Sequence, residues 1–417
     1  MKTRSRKKYF CDGQNRASST TIDWAKAISV ILVALGSIAF FALCTVAGVE
    51  NTQTDNGSVY IVYILLTSCL CAVCLIHELV IQAVRLSRGT WILLLVSLAI
   101  LLDLLIERQS FGSYDFLLFY IGLALPGLAA GLLASNPFVF RLVKSLVDPF
   151  VLLVTVAVVL FEVNIYASGW WRSLQLGSFG YQTAAYSAAV AFGLNAWSIL
   201  RCGHEDRFRI FNLTCFRTIR LALLPILAGA TLLSGGRGGA VLVLMYCVIV
   251  ISWVGTGKKH GIAYSILVAL LVVLAGGIAF NLVDVSQFAG LDRILNRGDN
   301  RSSVIEGALS LFSESPVFGY GFGGYGQLLF EPYPHNIVLD ILLCGGIVGL
   351  LCSLLYSGWF VFKIKKIGAS SVSSYSLLLV IAVYALTFLM FSGTFLSSAV
   401  FWFCLSFVTS YCIRDET

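Results

Sequence analysis

Long apolar runs separated by short polar connections make up most of this 417-residue chain. A helix of about 17–25 apolar residues is long enough to cross the ~30 Å hydrocarbon core of a bilayer. The pattern therefore predicts about twelve membrane spans, of which the third, seventh and twelfth are short: 25–46, 59–79, 91–105, 116–133, 149–167, 183–200, 218–233, 239–255, 262–283, 337–362, 374–391 and 399–412.

The positions of lysine and arginine predict the orientation of these spans. With both termini in the cytoplasm, 22 of the 28 basic residues fall in cytoplasmic segments, as the positive-inside rule requires. The net charge of +7 is thus topological and does not indicate a nucleic-acid-binding surface. Six basic residues fall on the opposite, outer side and are candidates for a function: Arg108, Arg172, Arg237, Arg293, Arg297 and Arg301.

The predicted spans divide the chain into four parts. Residues 1–22 form a basic cytoplasmic segment without the features of a cleavable signal peptide, and 23–283 hold spans one to nine. One long outer loop, 284–336, precedes spans ten to twelve and a short tail in 337–417. A composition of 58% hydrophobic and 12% charged residues excludes an ordinary soluble domain.

Cysteine and histidine give no sign of a disulfide framework or a metal site. The twelve cysteines all lie in predicted spans or on the cytoplasmic side, where exported disulfides do not form. The four histidines are separated from one another and from acidic clusters, so that a zinc ligand set is not predicted.

The long loop contains a predicted helix next to an arginine. Ser303 and Glu306 have capping-box spacing, an apolar periodicity follows, and Pro316 ends the pattern. Arg301, just before this helix, would lie beside the free N–H groups of its first turn, an arrangement that suits phosphate. A surface arginine at a bend is the alternative.

A glycine-rich turn follows this helix. Gly319, Gly321 and Gly324 match the dinucleotide-binding pattern, but there is no βαβ unit around them, so we interpret the segment as a tight turn. Phe322 and Tyr325 within it are either sugar-stacking rings or members of an interfacial aromatic belt.

Two further polar sites lie at the predicted outer ends of spans. Arg237 stands among four glycines in the 234–239 turn (SGGRGG), either as a ligand-binding arginine or as a cap on a helical hairpin. His335 lies at the mouth of span ten after Pro334, with Asp340 following in that span. A histidine can accept a proton near neutral pH, although a lone histidine can also be structural.

Taken together, these segments resemble the signature region of the O-antigen ligase and O-antigen polymerase superfamily. The resemblance rests on Arg301, the run 315–321 (SPVFGYG), the triplet Pro334-His335-Asn336 and the run 345–349 (GGIVG). The 234–239 turn resembles the upstream arginine motif of that superfamily. The detailed match covers roughly residues 230–350.

The resemblance implies an all-α polytopic membrane protein with about twelve transmembrane helices, a larger periplasmic loop containing short helices and a GT-C-like fold. It implies an inverting glycosyltransferase of the bacterial inner membrane that uses no metal or other cofactor. The donor would be a glycan on undecaprenyl diphosphate. His335 would activate the acceptor hydroxyl and Arg237 and Arg301 would bind the pyrophosphate. Arg293, Arg297, Arg172 and Asn336 are further substrate-binding candidates.

The compact loop and the Tyr-Pro-His-Asn form favour a polymerase, which would add a growing chain to a second lipid-linked repeat unit and work with a chain-length regulator. A ligase that transfers the glycan to lipid A core is the nearest alternative. A transporter for lipid-linked oligosaccharides also has about twelve spans, but it should show repeated halves and charges near the midplane. Membrane lipids are further expected partners, and nucleic acid is not expected to be one.

Overall fold

A computed structural model describes residues 21–49, 56–81, 86–106, 110–111, 114–167, 175–176, 179–201, 217–254, 301–326, 328–329, 331–370 and 372–411. Within these ranges the chain forms fourteen α-helices and two small antiparallel hairpins. The hairpins pair β1 (Ser110–Phe111) with β2 (Tyr114–Asp115) and β3 (Gln175–Leu176) with β4 (Phe179–Gly180).

The helices follow one another with short connections. The first seven are α1 (Thr21–Ala34), α2 (Gly36–Ala47), α3 (Asn56–Ile76), α4 (Arg88–Ile106), α5 (Phe116–Phe119), α6 (Leu125–Ala134) and α7 (Pro137–Ala167). The next seven are α8 (Tyr181–Arg201), α9 (Arg217–Leu233), α10 (Arg237–Val254), α11 (Arg301–Glu314), α12 (Ile337–Ser370), α13 (Val372–Phe391) and α14 (Ala399–Ser410). π-helical turns follow α3 (His77–Ile81) and α5 (Tyr120–Ala124), and a 3-10 turn (Phe395–Ser397) precedes α14.

The prediction of a helical, polytopic membrane protein is confirmed for the described residues, apart from the two short hairpins, which it did not include. Eleven of the twelve predicted spans coincide with helices of the described residues, and the ninth, 262–283, lies outside them. Five helices in the described part are long and apolar enough to cross a bilayer, or six with the bent pair α1 and α2. The remaining apolar helices are shorter, so that the number twelve stays a prediction.

Three predicted spans differ from the structure, and the last of them, span ten, is interrupted at Gly346. Span one is not a single helix, because Leu35 leaves helical geometry (φ −111°, ψ 34°) and α1 and α2 meet at 97°. Span five was predicted to begin at Pro149, but α7 begins at Pro137 and accommodates Pro149 inside the helix. Neighbouring helices in a membrane can satisfy the backbone groups that such a proline releases.

A buried charge cluster fixes α1 to the end of α3. The Lys26 ammonium donates a short hydrogen bond to Glu78, lies 3.7 Å from an Asp23 carboxylate oxygen, and is fully buried. The Asn136 amide donates to the other Glu78 oxygen at 2.9 Å. The sequence counts Lys26 among the 22 basic residues of the cytoplasmic side, and it gives no sign that this charge is buried against Glu78.

Removing the Lys26 charge is expected to destabilise the protein strongly. Lys26→Met would leave Asp23 and Glu78 buried without their cation, which costs about 3–5 kcal/mol. Thermal unfolding in detergent measures the effect. Lys363→Met is the control, because half-buried Lys363 only lies above the Trp359 ring (5.6 Å) and its loss should cost about 1 kcal/mol or less. Equal melting temperatures for the two variants would contradict the prediction.

A second buried ion pair lies between α7 and α9. Arg220 Nη2 contacts Asp148 Oδ1 at 2.8 Å, and the Ser198 hydroxyl donates to the same oxygen at 2.8 Å. Arg220 also belongs to the 22 basic residues that the sequence assigns to the cytoplasmic side. Its burial shows that a basic residue at a span end can serve packing between helices as well as orientation.

The buried side chains form two hydrophobic clusters. The larger surrounds α8, which is buried from Ala184 to Ile199 and is rich in alanine and serine. Small residues let helices approach closely: a Cβ on Gly239 of α10 would lie 2.9 Å from the Ala185 Cβ. The smaller cluster joins α4 and the 116–132 segment to α11 and the turn after it. It also includes the beginning of α12 and the end of α13. The loop that carries the sequence motifs is therefore packed into the bundle.

Candidate functional site

The loop helix α11 begins earlier than its capping pattern predicts. It starts at Arg301, so Ser303 lies inside the first turn and cannot be the N-cap residue. Glu306 lies within the same helix. The predicted end is close, since the helix stops at Glu314 and Pro316 disfavours helical geometry in the residue before it.

After α11 the glycine-rich turn inserts its backbone into a break in α12. An unbroken helix would pair the carbonyls of Leu343 and Cys344 with the N–H groups of residues 347 and 348. Instead Tyr320 N–H donates to Leu343 O (2.7 Å) and Gly321 N–H to Cys344 O (3.0 Å). In return, the N–H groups at the far side of the break donate to the turn: Ile347 to Pro316 O (2.9 Å) and Val348 to Val317 O (3.2 Å).

This exchange replaces two helical hydrogen bonds by four bonds to the turn. It requires glycine on both sides. Gly346 has φ 61° and ψ −156°, and a Cβ there would overlap the Val317 carbonyl. Gly319 has φ 67°, and a Cβ there would lie 2.5 Å from Leu343 O. The predicted tight turn is confirmed, and its function is to join the loop to the membrane helix.

The rings of the turn pack inside the protein. Tyr325 is fully buried and meets Phe116 edge-on at 6.3 Å between ring centroids. Phe322 is half-buried against Phe395, and its N–H donates to Asp103 Oδ2 at 2.7 Å. Neither of the predicted roles, sugar stacking or an interfacial belt, describes Tyr325, which is a core residue.

His335 has an unusual backbone conformation. Its φ of 52° lies in the left-handed region, and it is the one non-glycine residue of the described part with a positive φ. Such conformations cost about 1–3 kcal/mol and concentrate at functional sites. Its half-buried ring packs edge-on against Tyr333, with 4.6 Å between centroids.

Asn336 is the N-cap of α12. Its side-chain oxygen accepts hydrogen bonds from the N–H groups of Val338 (2.9 Å) and Leu339 (3.3 Å), which have no partner within the helix. The residue was predicted to bind substrate. The structure gives it a structural role that fixes where α12 begins, directly after His335.

Arg237 begins α10 in the turn between α9 and α10. The Ser234 hydroxyl donates to Glu162 Oε1 of α7 at 2.6 Å, and Gly235 supplies a positive φ of 75°. Gly238 lies so close to α8 that a Cβ on it would overlap the Tyr186 hydroxyl. The glycines thus permit close packing on α8 and leave the half-buried Arg237 side chain at the rim of the bundle.

Hydrogen bonds join the arginine turn to the histidine segment. The Tyr186 hydroxyl, which lies against Gly238, is 3.1 Å from the Ser392 hydroxyl. The Tyr333 hydroxyl donates to the Ser392 carbonyl at 3.2 Å, and Tyr333 contacts His335. Two motifs almost one hundred positions apart in the chain are therefore linked through Tyr186, Ser392 and Tyr333.

The Tyr333 hydroxyl stays protonated in this network. Burial raises the pKa of the Tyr333 phenol to about 12, and the carboxylates of Glu331 and Asp340 act in the same direction. A neutral phenol keeps donating to the Ser392 carbonyl at any physiological pH. The histidine segment is therefore held by a donor that does not titrate in the working range.

The other predicted site residues lie outside what the structure describes. Arg172, Arg293 and Arg297 fall beyond the described ranges, and of Arg301 the helical backbone is described but the side chain is not. A group of three or more potential metal ligands is not found within the described ranges.

Sequence reasoning missed several residues of this site. Glu162 was not singled out, although a carboxylate near the end of a membrane span is a functional candidate by default. Tyr186 and Ser392 carry no motif, and only the folded arrangement brings them between Arg237 and His335. Asp340 was noted for its position alone, without its contacts.

Comparison with known proteins agrees with these motifs. A family model described as O-Antigen ligase matches residues 222–354, which run from α9 through the site into α12. No curated protein and no solved structure matches the chain significantly. Residues 222–354 are therefore similar to the O-antigen ligase family, which supports the resemblance that the sequence motifs indicated.

Proposed function

We propose that the protein is a membrane glycosyltransferase that polymerises a surface polysaccharide from repeat units on undecaprenyl diphosphate. The observation that carries this proposal is the meeting of the Arg237 turn and the His335 segment through Tyr186, Ser392 and Tyr333. A cation and a proton acceptor at one end of a membrane bundle suit transfer from a lipid-linked pyrophosphate.

His335 and Arg237 have different roles in the proposed transfer. The acceptor hydroxyl oxygen forms a bond to the anomeric carbon while the bond from that carbon to the pyrophosphate oxygen breaks, with inversion. His335 takes the hydroxyl proton. The departing undecaprenyl diphosphate gains negative charge, which Arg237 stabilises. Arg301 is assigned the same task on the resemblance alone, with Arg172, Arg293 and Arg297 as further candidates for contact with the donor.

A ligase is the second candidate. It would use the same donor and transfer the finished glycan to lipid A core. The description of the matching family, O-Antigen ligase, favours it. The compact 284–336 loop favours the polymerase, since less protein is then available to hold a lipid A core acceptor. In either case we place the site on the periplasmic face of the bacterial inner membrane.

The deciding experiment uses purified protein in nanodiscs with an undecaprenyl-diphosphate-linked repeat unit as the only sugar substrate. A ladder of extended products on a gel indicates a polymerase. Transfer that appears only after lipid A core is added indicates a ligase. If neither product forms but the lipid-linked unit crosses a vesicle membrane, the protein is a transporter and the proposal is wrong.

Arg237→Lys is expected to lower transfer at least about tenfold, because an ammonium cannot provide the paired donors with which guanidinium binds phosphate oxygens. Initial rates at saturating acceptor measure this. Arg220→Lys is the control, since Arg220 lies buried in an ion pair between α7 and α9, and should keep activity in the folded fraction. Full activity of Arg237→Lys would contradict the assigned role.

A further inference from the structure

Asp340 is a buried carboxylate in the first turn of α12, the helix that begins directly after His335 and Asn336. Its exposed fraction is 1%. The backbone bond from Asp340 N–H to Asn336 O (2.9 Å) ties it to the residue that caps the helix. Charged residues are rare at such positions in membrane helices and are kept where they have a partner and a function.

The Asp340 carboxylate accepts hydrogen bonds from two other segments. The buried Tyr325 hydroxyl, in the glycine-rich turn, donates to Oδ1. The buried Thr394 hydroxyl donates to Oδ2 at 2.6 Å, and the Phe395 N–H contacts the same oxygen at 3.4 Å. The Thr394 oxygen in turn accepts from Leu396 N–H at 3.2 Å.

These contacts connect Asp340 to His335 by two routes. Along the chain, Asp340 fixes the first turn of α12, which Asn336 caps. Through space, Asp340 holds Thr394, two residues from Ser392, whose carbonyl accepts from Tyr333 (3.2 Å). The Tyr333 ring is the one that lies edge-on to His335.

We propose that Asp340 is a positioning residue that holds the His335 imidazole in place for proton transfer. The inference rests on the proposed function for the identity of the reaction. His335 is strained in the left-handed region, so a surrounding structure must keep it there. The Asp340 carboxylate has two acceptor oxygens, one for the Tyr325 hydroxyl and one for the Thr394 hydroxyl. It therefore joins α12 to the glycine-rich turn and to the segment after α13.

Thr394 offers a matched pair of variants for the test. Thr394→Ser keeps the hydroxyl that donates to Asp340, whereas Thr394→Val keeps the shape and loses the donor. We expect kcat of Thr394→Val to fall at least about tenfold with KM for the lipid-linked donor within about twofold, because small misplacements of a reacting group have large effects on rate. Thr394→Ser should restore kcat to within about threefold of the original protein. Asp340→Asn should resemble Thr394→Val.

A second readout does not depend on activity. The rate at which diethyl pyrocarbonate modifies His335, followed by mass spectrometry, should change at least about threefold in Thr394→Val and Asp340→Asn but not in Thr394→Ser. His77, in the π-helical turn after α3, is the internal control. Transfer and modification rates that are the same in Thr394→Val and Thr394→Ser would overturn the positioning role. Absence of transfer in the unmodified protein, with the modification rates behaving as expected, would overturn the proposed function and leave the positioning role standing.

Discussion

His335→Asn is expected to lower glycan transfer by about 10²–10⁴-fold, the usual contribution of a positioned proton acceptor. The amide cannot take up the proton of the acceptor hydroxyl. Asparagine is nevertheless the most suitable replacement, since it tolerates the left-handed region in which His335 lies (φ 52°). The loss should therefore appear in kcat with little change in thermal stability.

Comparison of His335→Ala with His335→Asn separates the loss of the proton acceptor from the strain of the left-handed backbone. Alanine also lacks the proton acceptor, and in the left-handed region it costs about 1–2 kcal/mol as well. We expect the two variants to be equally inactive and the alanine variant to melt at a lower temperature. Transfer within about threefold of the original rate in His335→Asn would show that another group accepts the proton, and Glu162, beside the arginine turn, would be examined next.

The hydrophobic pattern predicted the helices well because a membrane helix needs little more than length and apolar composition. It did not predict the 97° bend at Leu35, because length and apolar composition do not register the Gly36-Ser37 pair that follows, a common site of helix kinks. Nor could it show that Lys26 and Arg220 are buried, since the positive-inside rule counts charges along the chain and does not recognise partners from distant helices.

The candidate site was predictable only in part. His335 and Arg237 could be found because each lies in a dense local motif. The contacts between them depend on Tyr186, Ser392 and Tyr333, which come from three separate regions of the chain. Local patterns also missed the capping residues: Ser303 lies inside α11, and Asn336 caps α12, while its predicted contact with substrate stays a prediction.

The glycines of the turn illustrate the same limit. The spacing of Gly319 and Gly321 indicated a tight turn, but it gave no sign that α12 opens at Gly346 to receive it. A glycine pair inside an apolar span looks like an ordinary helix-packing site. Only the exchange of hydrogen bonds shows why one glycine of that pair is required and the other is not.

Gly346→Ala is expected to destabilise the protein by about 2–5 kcal/mol. About 1–2 kcal/mol comes from forcing an alanine to φ 61°. The rest comes from the overlap of its Cβ with the Val317 carbonyl, which displaces the turn and breaks the bonds from Ile347 and Val348, each worth about 0.5–1.5 kcal/mol. Gly319→Ala should have a similar effect from the other side of the contact.

Gly345→Ala is the matched control for this prediction. It changes the neighbouring residue in the same way, yet a Cβ on Gly345 would have no atom within 4 Å, and its φ is not positive. Alanine also favours helix over glycine by about 1 kcal/mol, so this variant should be neutral or slightly more stable. The measurement is the melting temperature of the three variants in one detergent. If Gly346→Ala and Gly345→Ala melt together, the turn is not anchored in α12, and the loop that precedes His335 must be held by Asp340 and Tyr325 alone.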